Sequence, residues 1–254
     1  MLNMSVHHRE YHTMLHRLRF AGLFVLLTLT GNLCAQSPLS TIFAENNNFN
    51  GNMFNLSVLN PNGVSINRFD VNTAFNTNTI NLYYKLGSYI GSQLTPANWT
   101  YYGSITFSSL GMNVPSPVLL STPLVLAGGQ NYALYISAGS SGTMFYTNGN
   151  GTAGVPGSGS NQTYSNADLQ LLAGDGMGLI NGLPGSGTET FSSVNDPRVW
   201  NGNIYYSITA VPEPATLALA GIGAIGCLGA IYHRKRKKRI RCRHVKKPAN
   251  LVAG

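Results

Sequence analysis

The hydrophobic pattern between residues 39 and 208 is that of short β-strands. Apolar and polar residues alternate over runs of five to eight residues, which places the apolar side chains on one face of a strand. The alternation is clearest in Ile80-Leu82-Tyr84 and in Tyr132-Leu134-Ile136. Clusters of Asn, Gly, Ser and Pro separate the runs, and no window has a sustained helical period. The segment is therefore predicted to be all-β.

About a dozen strands in one segment of this size predict an antiparallel two-sheet sandwich, with a jelly roll as the favoured topology. The predicted strands are Ser40 to Phe43, Met53 to Val58, Val64 to Val71, Thr79 to Lys85, Trp99 to Phe107, Val118 to Ser121, Leu124 to Leu126, Tyr132 to Ser137, Thr143 to Thr147, Leu169 to Ala173, and two within Trp200 to Ile208.

Turns, a bulge and two long loops complete the predicted domain. Tight turns are expected at Pro61-Asn62-Gly63, Gly128-Gly129 and Asn201-Gly202, where glycine supplies positive φ angles. The alternation slips between Asn67 and Arg68, which predicts a β-bulge there. Residues 148–166 and 174–195 are predicted to be exposed loops, because they are rich in Gly, Ser and Asn.

The formal net charge of +8 does not indicate a nucleic-acid partner, because the charge is concentrated outside the β-rich segment. Ten of the sixteen basic residues lie between Arg234 and Lys247. Residues 36–211 contain three cationic side chains against six carboxylates, which gives this segment a net charge of −3. The basic residues therefore belong to targeting signals and do not form a binding face.

Cysteine and histidine are both absent from residues 36–211, since the three cysteines and six histidines all lie nearer the two ends. The segment therefore has no disulfide, thiol nucleophile, histidine base or His/Cys metal site. We expect a protein that is not an enzyme and needs no cofactor.

Residues 1–35 are predicted to be a secretory signal peptide. Arg17 and Arg19 precede the short apolar run Phe20 to Leu29, and Ala35 is the expected cleavage position. Translation from Met14 would give a signal of ordinary length, so both starts stay open. Residues 36–210 would then be the exported domain.

Residues 211–243 have three consecutive parts. Val211, Pro212, Glu213 and Pro214 come first, and the prolines keep this stretch extended. The uncharged run Ala215 to Tyr232 follows, and as a helix it would be about 27 Å long, enough to span a bilayer. A basic cluster comes last and would stop transfer, leaving residues 244–254 as a cytoplasmic tail. The cluster is Arg234, Lys235, Arg236, Lys237, Lys238 and Arg239.

This tripartite end resembles the PEP-CTERM sorting signal of bacterial surface proteins. The resemblance implies recognition by a membrane-embedded cysteine protease of the exosortase type, which would cut near Pro212-Glu213-Pro214. The protein would be transiently anchored in the inner membrane and then join the cell surface or extracellular matrix. The chain departs from the pattern by continuing past the basic cluster to Gly254.

The exported domain is similar to a recurrent β-sandwich module of proteins that carry this anchor. That similarity spans roughly Ser40 to Ile208 and implies fold and location, with no catalytic residues. The segments that carry it are Leu82 to Tyr89, Trp99 to Gly103, Leu126 to Tyr132 and Arg198 to Tyr206.

Few residues of the domain suggest chemistry of their own. Asp168 and Asp175 are a weak Ca²⁺ candidate, against the simpler interpretation of loop and turn residues. Glu189 and Asp196 form a glycosidase-like carboxylate pair by residue type, although solvated surface carboxylates are favoured.

Aromatic residues leave a second function open. Exposed rings such as Trp200 and Tyr206 would face a ligand in a carbohydrate-binding module, whose partner would be a surface polysaccharide. The favoured interpretation is that these rings fill the core, because aromatic residues have high β-propensity.

Overall fold

The structure, a computed structural model, describes residues 38–209 together with residues 232, 233 and 235. The described strands are β1 (Leu39–Ser40), β2 (Asn47–Phe49), β3 (Gly51–Val58), β4 (Val64–Val71), β5 (Thr79–Leu86), β6 (Thr100–Thr106), β7 (Ser116–Leu126), β8 (Asn131–Ser137), β9 (Met144–Asn148), β10 (Thr163–Ser165), β11 (Leu169–Met177), β12 (Ile180–Asn181), β13 (Thr190–Phe191), β14 (Val194–Trp200) and β15 (Gly202–Ile208). One 3-10 turn, Pro96–Asn98, precedes β6.

All strand pairs are antiparallel, so the all-β prediction is confirmed. One sheet has four strands in the order β1-β15-β4-β7. A second sheet has nine strands, in the order β2-β9-β14-β11-β3-β8-β5-β6, with β10 paired to β11. β12 and β13 form a separate two-stranded sheet.

The main hydrophobic cluster contains side chains from both large sheets. Phe54 comes from the nine-stranded sheet and Phe69 from the four-stranded sheet, and both contact the indole ring of Trp200. The ring centroids of Phe54 and Trp200 are 4.8 Å apart in a stacked arrangement. Burial of the apolar side chains in this cluster is therefore the main source of stability in this part of the chain.

A second cluster covers the opposite face of the nine-stranded sheet. Met53 belongs to it although its neighbour Phe54 lies in the main cluster, because successive side chains of a strand point to opposite faces. Tyr83, Tyr135 and Phe191 form its aromatic centre. The central strands β3 and β8 are thus buried on both faces.

Two of the three predicted turns are confirmed. Gly63 has a φ of 81° between β3 and β4, and Gly129 has a φ of 69° between β7 and β8. The prediction of a hairpin at Asn201-Gly202 is wrong, since these residues pass from β14 in one sheet to β15 in the other. Gly202 is needed for a steric reason, because a Cβ there would lie 2.0 Å from Cζ2 of Trp200.

The predicted bulge is confirmed, whereas the second loop is shorter than predicted. The register between β4 and β7 shifts between Ile66 and Arg68. Residues 174–177 continue β11 past its own irregularity, and the short strands β12 and β13 and the start of β14 interrupt the stretch that was predicted to be a loop up to residue 195. Pairing with the flanking strands overrides the turn preference of Gly174-Asp175-Gly176.

Candidate functional site

The C-terminal end of β15 is where the chain leaves the described domain. Ile208 pairs with Val64 of β4, and the backbone N–H of Thr209 donates a hydrogen bond of 3.1 Å to the carbonyl oxygen of Gly63. Only two residues separate Thr209 from Pro212. The predicted sorting motif therefore follows the hydrogen-bonded sheet almost directly.

The sorting motif and most of the basic cluster lie outside the described residues. The motif residues that are not described are Val211, Pro212, Glu213 and Pro214. The predicted signal peptide also lies outside the described residues, and so does all of the predicted span except Tyr232. Of the basic cluster only Lys235 is described, and it is helical and exposed. Within the part of the chain that the structure describes, no helix has the length and apolar character needed to cross a bilayer.

Tyr206 is a buried structural residue, as the favoured core-filling interpretation expects, and the alternative prediction that it faces a ligand is wrong. Its side chain is 6% exposed, and its hydroxyl donates a hydrogen bond of 3.1 Å to Oδ2 of Asp168. Burial raises the pKa of Tyr206 to about 12. Asn60 donates a further hydrogen bond to Oδ1 of Asp168, so this carboxylate connects the last strand to the turn after β3.

Trp200 is also buried, which corrects the second half of that prediction. Its side chain is 0% exposed and is enclosed by the rings of Phe54 and Phe69. Trp200 was placed correctly on a strand, but it is the last residue of β14, where the chain leaves one large sheet for the other, and its ring belongs to the hydrophobic cluster that both sheets share. Neither Trp200 nor Tyr206 can therefore present a ring face to a sugar.

The structure does not bring Asp168 and Asp175 together. Asp168 precedes β11 and Asp175 lies near its other end, so the two are about 23 Å apart at the usual rise of about 3.3 Å per residue. They cannot bind one cation jointly. Among the described residues, no group of three or more His, Cys, Asp or Glu side chains could hold a metal ion.

The buried Asp175 lies beside the half-buried Asp196 in a carboxyl pair that sequence reasoning missed. Asp175 is 1% exposed on the irregular part of β11, and the hydroxyl of Tyr89 donates to its Oδ1 at 3.4 Å. Burial and then the charge of Asp196 raise the pKa of Asp175 to about 7. Asp196 in turn accepts a hydrogen bond from the backbone N–H of Gly154, which connects the loop after β9 to this pair.

Glu189 and Asp196 accept hydrogen bonds from different loops. The backbone N–H of Gly185 donates to Oε1 of Glu189 at 2.7 Å, whereas Asp196 is bonded to Gly154. Desolvation acts to raise the pKa of Glu189, but backbone N–H donors in its own loop outweigh that effect and lower the pKa. Glu189 thus holds together its own loop, whereas Asp196 of β14 binds the loop after β9.

The stability of the domain is expected to fall as the pH rises from about 4 to about 7. Because the pKa of Asp175 is higher in the folded chain than its ordinary value of 3.8, the folded chain binds more protons in this window. We expect a loss of about 2 kcal/mol in the free energy of unfolding, as the carboxyl group of Asp175 loses its proton in the folded chain. Urea unfolding at pH 5 and pH 8, followed by tryptophan fluorescence, measures the difference.

Asp175→Asn provides the matched comparison for this pH dependence. The amide keeps the shape of the side chain but does not titrate, so the variant should be more stable than the wild type at pH 8 and nearly independent of pH in this window. Glu45 is half-buried and does not belong to the Asp175–Asp196 pair, so Glu45→Gln should keep the pH dependence of the free energy of unfolding of the wild type. An unchanged slope in Asp175→Asn would contradict the assignment.

Comparison with known proteins identifies the C-terminal segment. Residues 210–235 match the family described as the PEP-CTERM protein-sorting motif, which confirms the resemblance drawn from the sequence. The match begins immediately after Thr209 and includes Pro212-Glu213-Pro214. This signal supports an exported protein associated with the cell envelope. No curated protein and no solved structure matches the chain.

Proposed function

We propose that this chain is an exported surface or matrix protein that is held by its C-terminal segment and then cut near Pro212-Glu213-Pro214 by an exosortase-type protease. The observation that supports this proposal is the PEP-CTERM match, which begins directly after Thr209, the last residue of the described domain. The run Ala215 to Tyr232 serves as a transient span, and the basic cluster behind it stops transfer.

The β-domain is the delivered part of the protein and has no catalytic role of its own. Residues 36–211 lack cysteine and histidine, the side chains that most often act as nucleophile or base near neutral pH. Its fold is a two-sheet sandwich of jelly-roll type, which is supported by the cluster that both large sheets share. Such a scaffold is stable without disulfides at this size.

Binding of surface polysaccharide receives no support from the two residues that suggested it. Trp200 and Tyr206 are enclosed in the core, so they give no platform for a sugar ring. Delivery to the envelope is therefore the function that the chain supports best.

Mass spectrometry of the mature C-terminus tests the proposal. In cells that contain the protease, most molecules should end between Val211 and Ala215 and lack everything beyond. Glu213→Ala should leave a large fraction of the chain uncut, because it removes the only charge of the motif. Glu45→Ala, which removes a carboxylate far from the motif, should be cut like the wild type. An intact Gly254 in most wild-type molecules would contradict the proposal.

A further inference from the structure

The segment that connects the domain to the apolar run is short. From Thr209 to Ala215 the chain advances six residues, so it spans at most about 20 Å when fully extended. A folded domain of this size has a radius of gyration of about 16 Å and a diameter of about 40 Å. The tether is thus about half the width of the domain that it holds, and the domain cannot turn freely above a membrane.

The part of the domain next to the tether is one continuous end, which we call the exit end. Three turns between strands meet near Thr209 and are held by hydrogen bonds between backbone groups. Gly63 accepts from Thr209, Val58 donates to Gln130, and Gly87 donates to Asn131. The turns after β3, β5 and β7 therefore lie side by side where the chain leaves the fold.

Exposed apolar side chains project from the exit end. Leu59, in the turn after β3, is 48% exposed, and Leu86, at the end of β5, is 63% exposed. Pro61 and Ala127 of the neighbouring turns are also exposed. These groups are apolar enough to enter a headgroup layer but too few to form a stable protein interface.

The charge of the exit end is also suited to a lipid surface. Asp168 is the one carboxylate that the described residues place there, and it is 5% exposed and bonded to Asn60 and Tyr206. Lys85 supplies a cation, whose ammonium group donates to the carbonyl oxygen of Ser88 at 2.6 Å. Anionic lipid headgroups attract such a cation and would repel exposed carboxylates.

We propose that, before cleavage, the exit end rests on the lipid headgroups of the bilayer that holds the C-terminal segment. This inference rests on the proposed function, because it requires the run after Pro214 to be inserted in a membrane. The headgroup layer is about 5 to 8 Å thick on each side of the hydrocarbon, so the tether reaches at most about 15 Å beyond it. Leu59 and Leu86 then enter the layer, while the other end of β15 lies about 20 Å farther away.

Site-directed labelling of the uncut chain tests this orientation. The chain is purified from a host that lacks the protease, with Cys34, Cys227 and Cys242 replaced by serine, since the domain itself contains no cysteine. A fluorophore is attached after Asn62→Cys at the exit end or after Met112→Cys at the far end of the sheet. The protein is inserted into phosphatidylethanolamine vesicles that contain phosphatidylglycerol and a headgroup spin-label quencher.

We expect quenching at position 62 to exceed that at position 112 at least about twofold, because collisional contact with a headgroup quencher needs proximity to the layer. The double variant with Leu59→Asp and Leu86→Asp adds two carboxylates to the exit end. It should remove most of the difference in quenching between positions 62 and 112. Leu119→Asp, at a position 68% exposed on β7, is the matched control and should preserve it.

Equal quenching at the two positions in inserted protein would overturn the inference, and so would a difference that arises only after the protease is added to the vesicles. Vesicle flotation separates these outcomes from a failure of the proposed function. A chain that does not float lacks the proposed membrane anchor, which overturns both proposals, whereas a chain that floats and shows equal quenching overturns only the orientation.

Discussion

Trp200→Ala is expected to lower the free energy of unfolding by about 4 kcal/mol, the magnitude found when a large buried aromatic side chain is truncated in a core. The ring is fully buried, stacks on Phe54 and meets Phe69 edge-on at a centroid distance of 6.2 Å. Its removal would leave a cavity between side chains of the two large sheets. Neither sheet can close that cavity without shifting its backbone.

Urea unfolding followed by far-ultraviolet circular dichroism measures this loss, because the variant lacks one of the two tryptophans. Trp200→Phe keeps a ring in the cavity and should cost about half as much. Phe75→Ala is the matched surface control, since that ring is 81% exposed and its removal should change stability by less than about 0.5 kcal/mol. Equal losses in Trp200→Ala and Phe75→Ala would contradict the central role of Trp200.

The same expectation changes how a binding experiment on this residue is interpreted. Loss of glycan binding in Trp200→Ala would report unfolding of the core and would not identify a sugar contact. A test of carbohydrate binding therefore needs aromatic side chains that are accessible, and Trp200 and Tyr206 do not qualify.

Strands were predictable where apolar residues recur at every second position of a short run. β5 alternates cleanly in sequence between Ile80 and Tyr84, and β4 shows the bulge in its own pattern. β3, β5 and β8 are buried on both faces, because residues 178–193 and the segment after β5 cover the outer face of their sheet. With apolar side chains on both faces, the alternation gives no information about which face meets which cluster.

The functional elements also differ in how far they could be predicted from the sequence. The sorting signal is a linear motif, so its parts could be recognised in order without knowledge of the fold. Asp175 and Asp196 are 21 residues apart in sequence, and only the pairing of β11 with β14 brings them together. The orientation of Trp200 could not be predicted either, because it depends on the passage of the chain from one sheet to the other.

Asp70→Ala is expected to lower the free energy of unfolding by about 2 to 3 kcal/mol. The carboxylate is 1% exposed and accepts two hydrogen bonds from Arg68, at 2.8 and 2.6 Å, on Oδ1. Asn203 and Tyr205 of β15 each donate to Oδ2 at 2.9 Å. The side chain thus connects β4 to β15, the strand that leads to the sorting segment, through the two donors of β15, and Arg68 of β4 supplies its other two donors.

Removal of this carboxylate leaves its donors without their acceptor. Breaking a fully buried ion pair costs about 3 to 5 kcal/mol, but the side chain of Arg68 is 34% exposed and can regain water. The guanidinium also keeps its position 4.2 Å from the centre of the Tyr205 ring, which offsets part of the loss. The expected cost is therefore smaller than that of an isolated buried pair.

A double-mutant cycle separates the ion pair from the neutral hydrogen bonds. Asp70→Asn retains an acceptor for Asn203 or Tyr205 and should cost less than Asp70→Ala, whereas Arg68→Ala leaves the buried carboxylate with the neutral donors alone. The coupling free energy between Asp70→Asn and Arg68→Ala should be at least about 1 kcal/mol. It should persist at 1 M salt, since a buried carboxylate is poorly screened. A coupling near zero, or one that salt abolishes, would place this pair among ordinary surface ion pairs and would leave the neutral hydrogen bonds as the connection between β4 and β15.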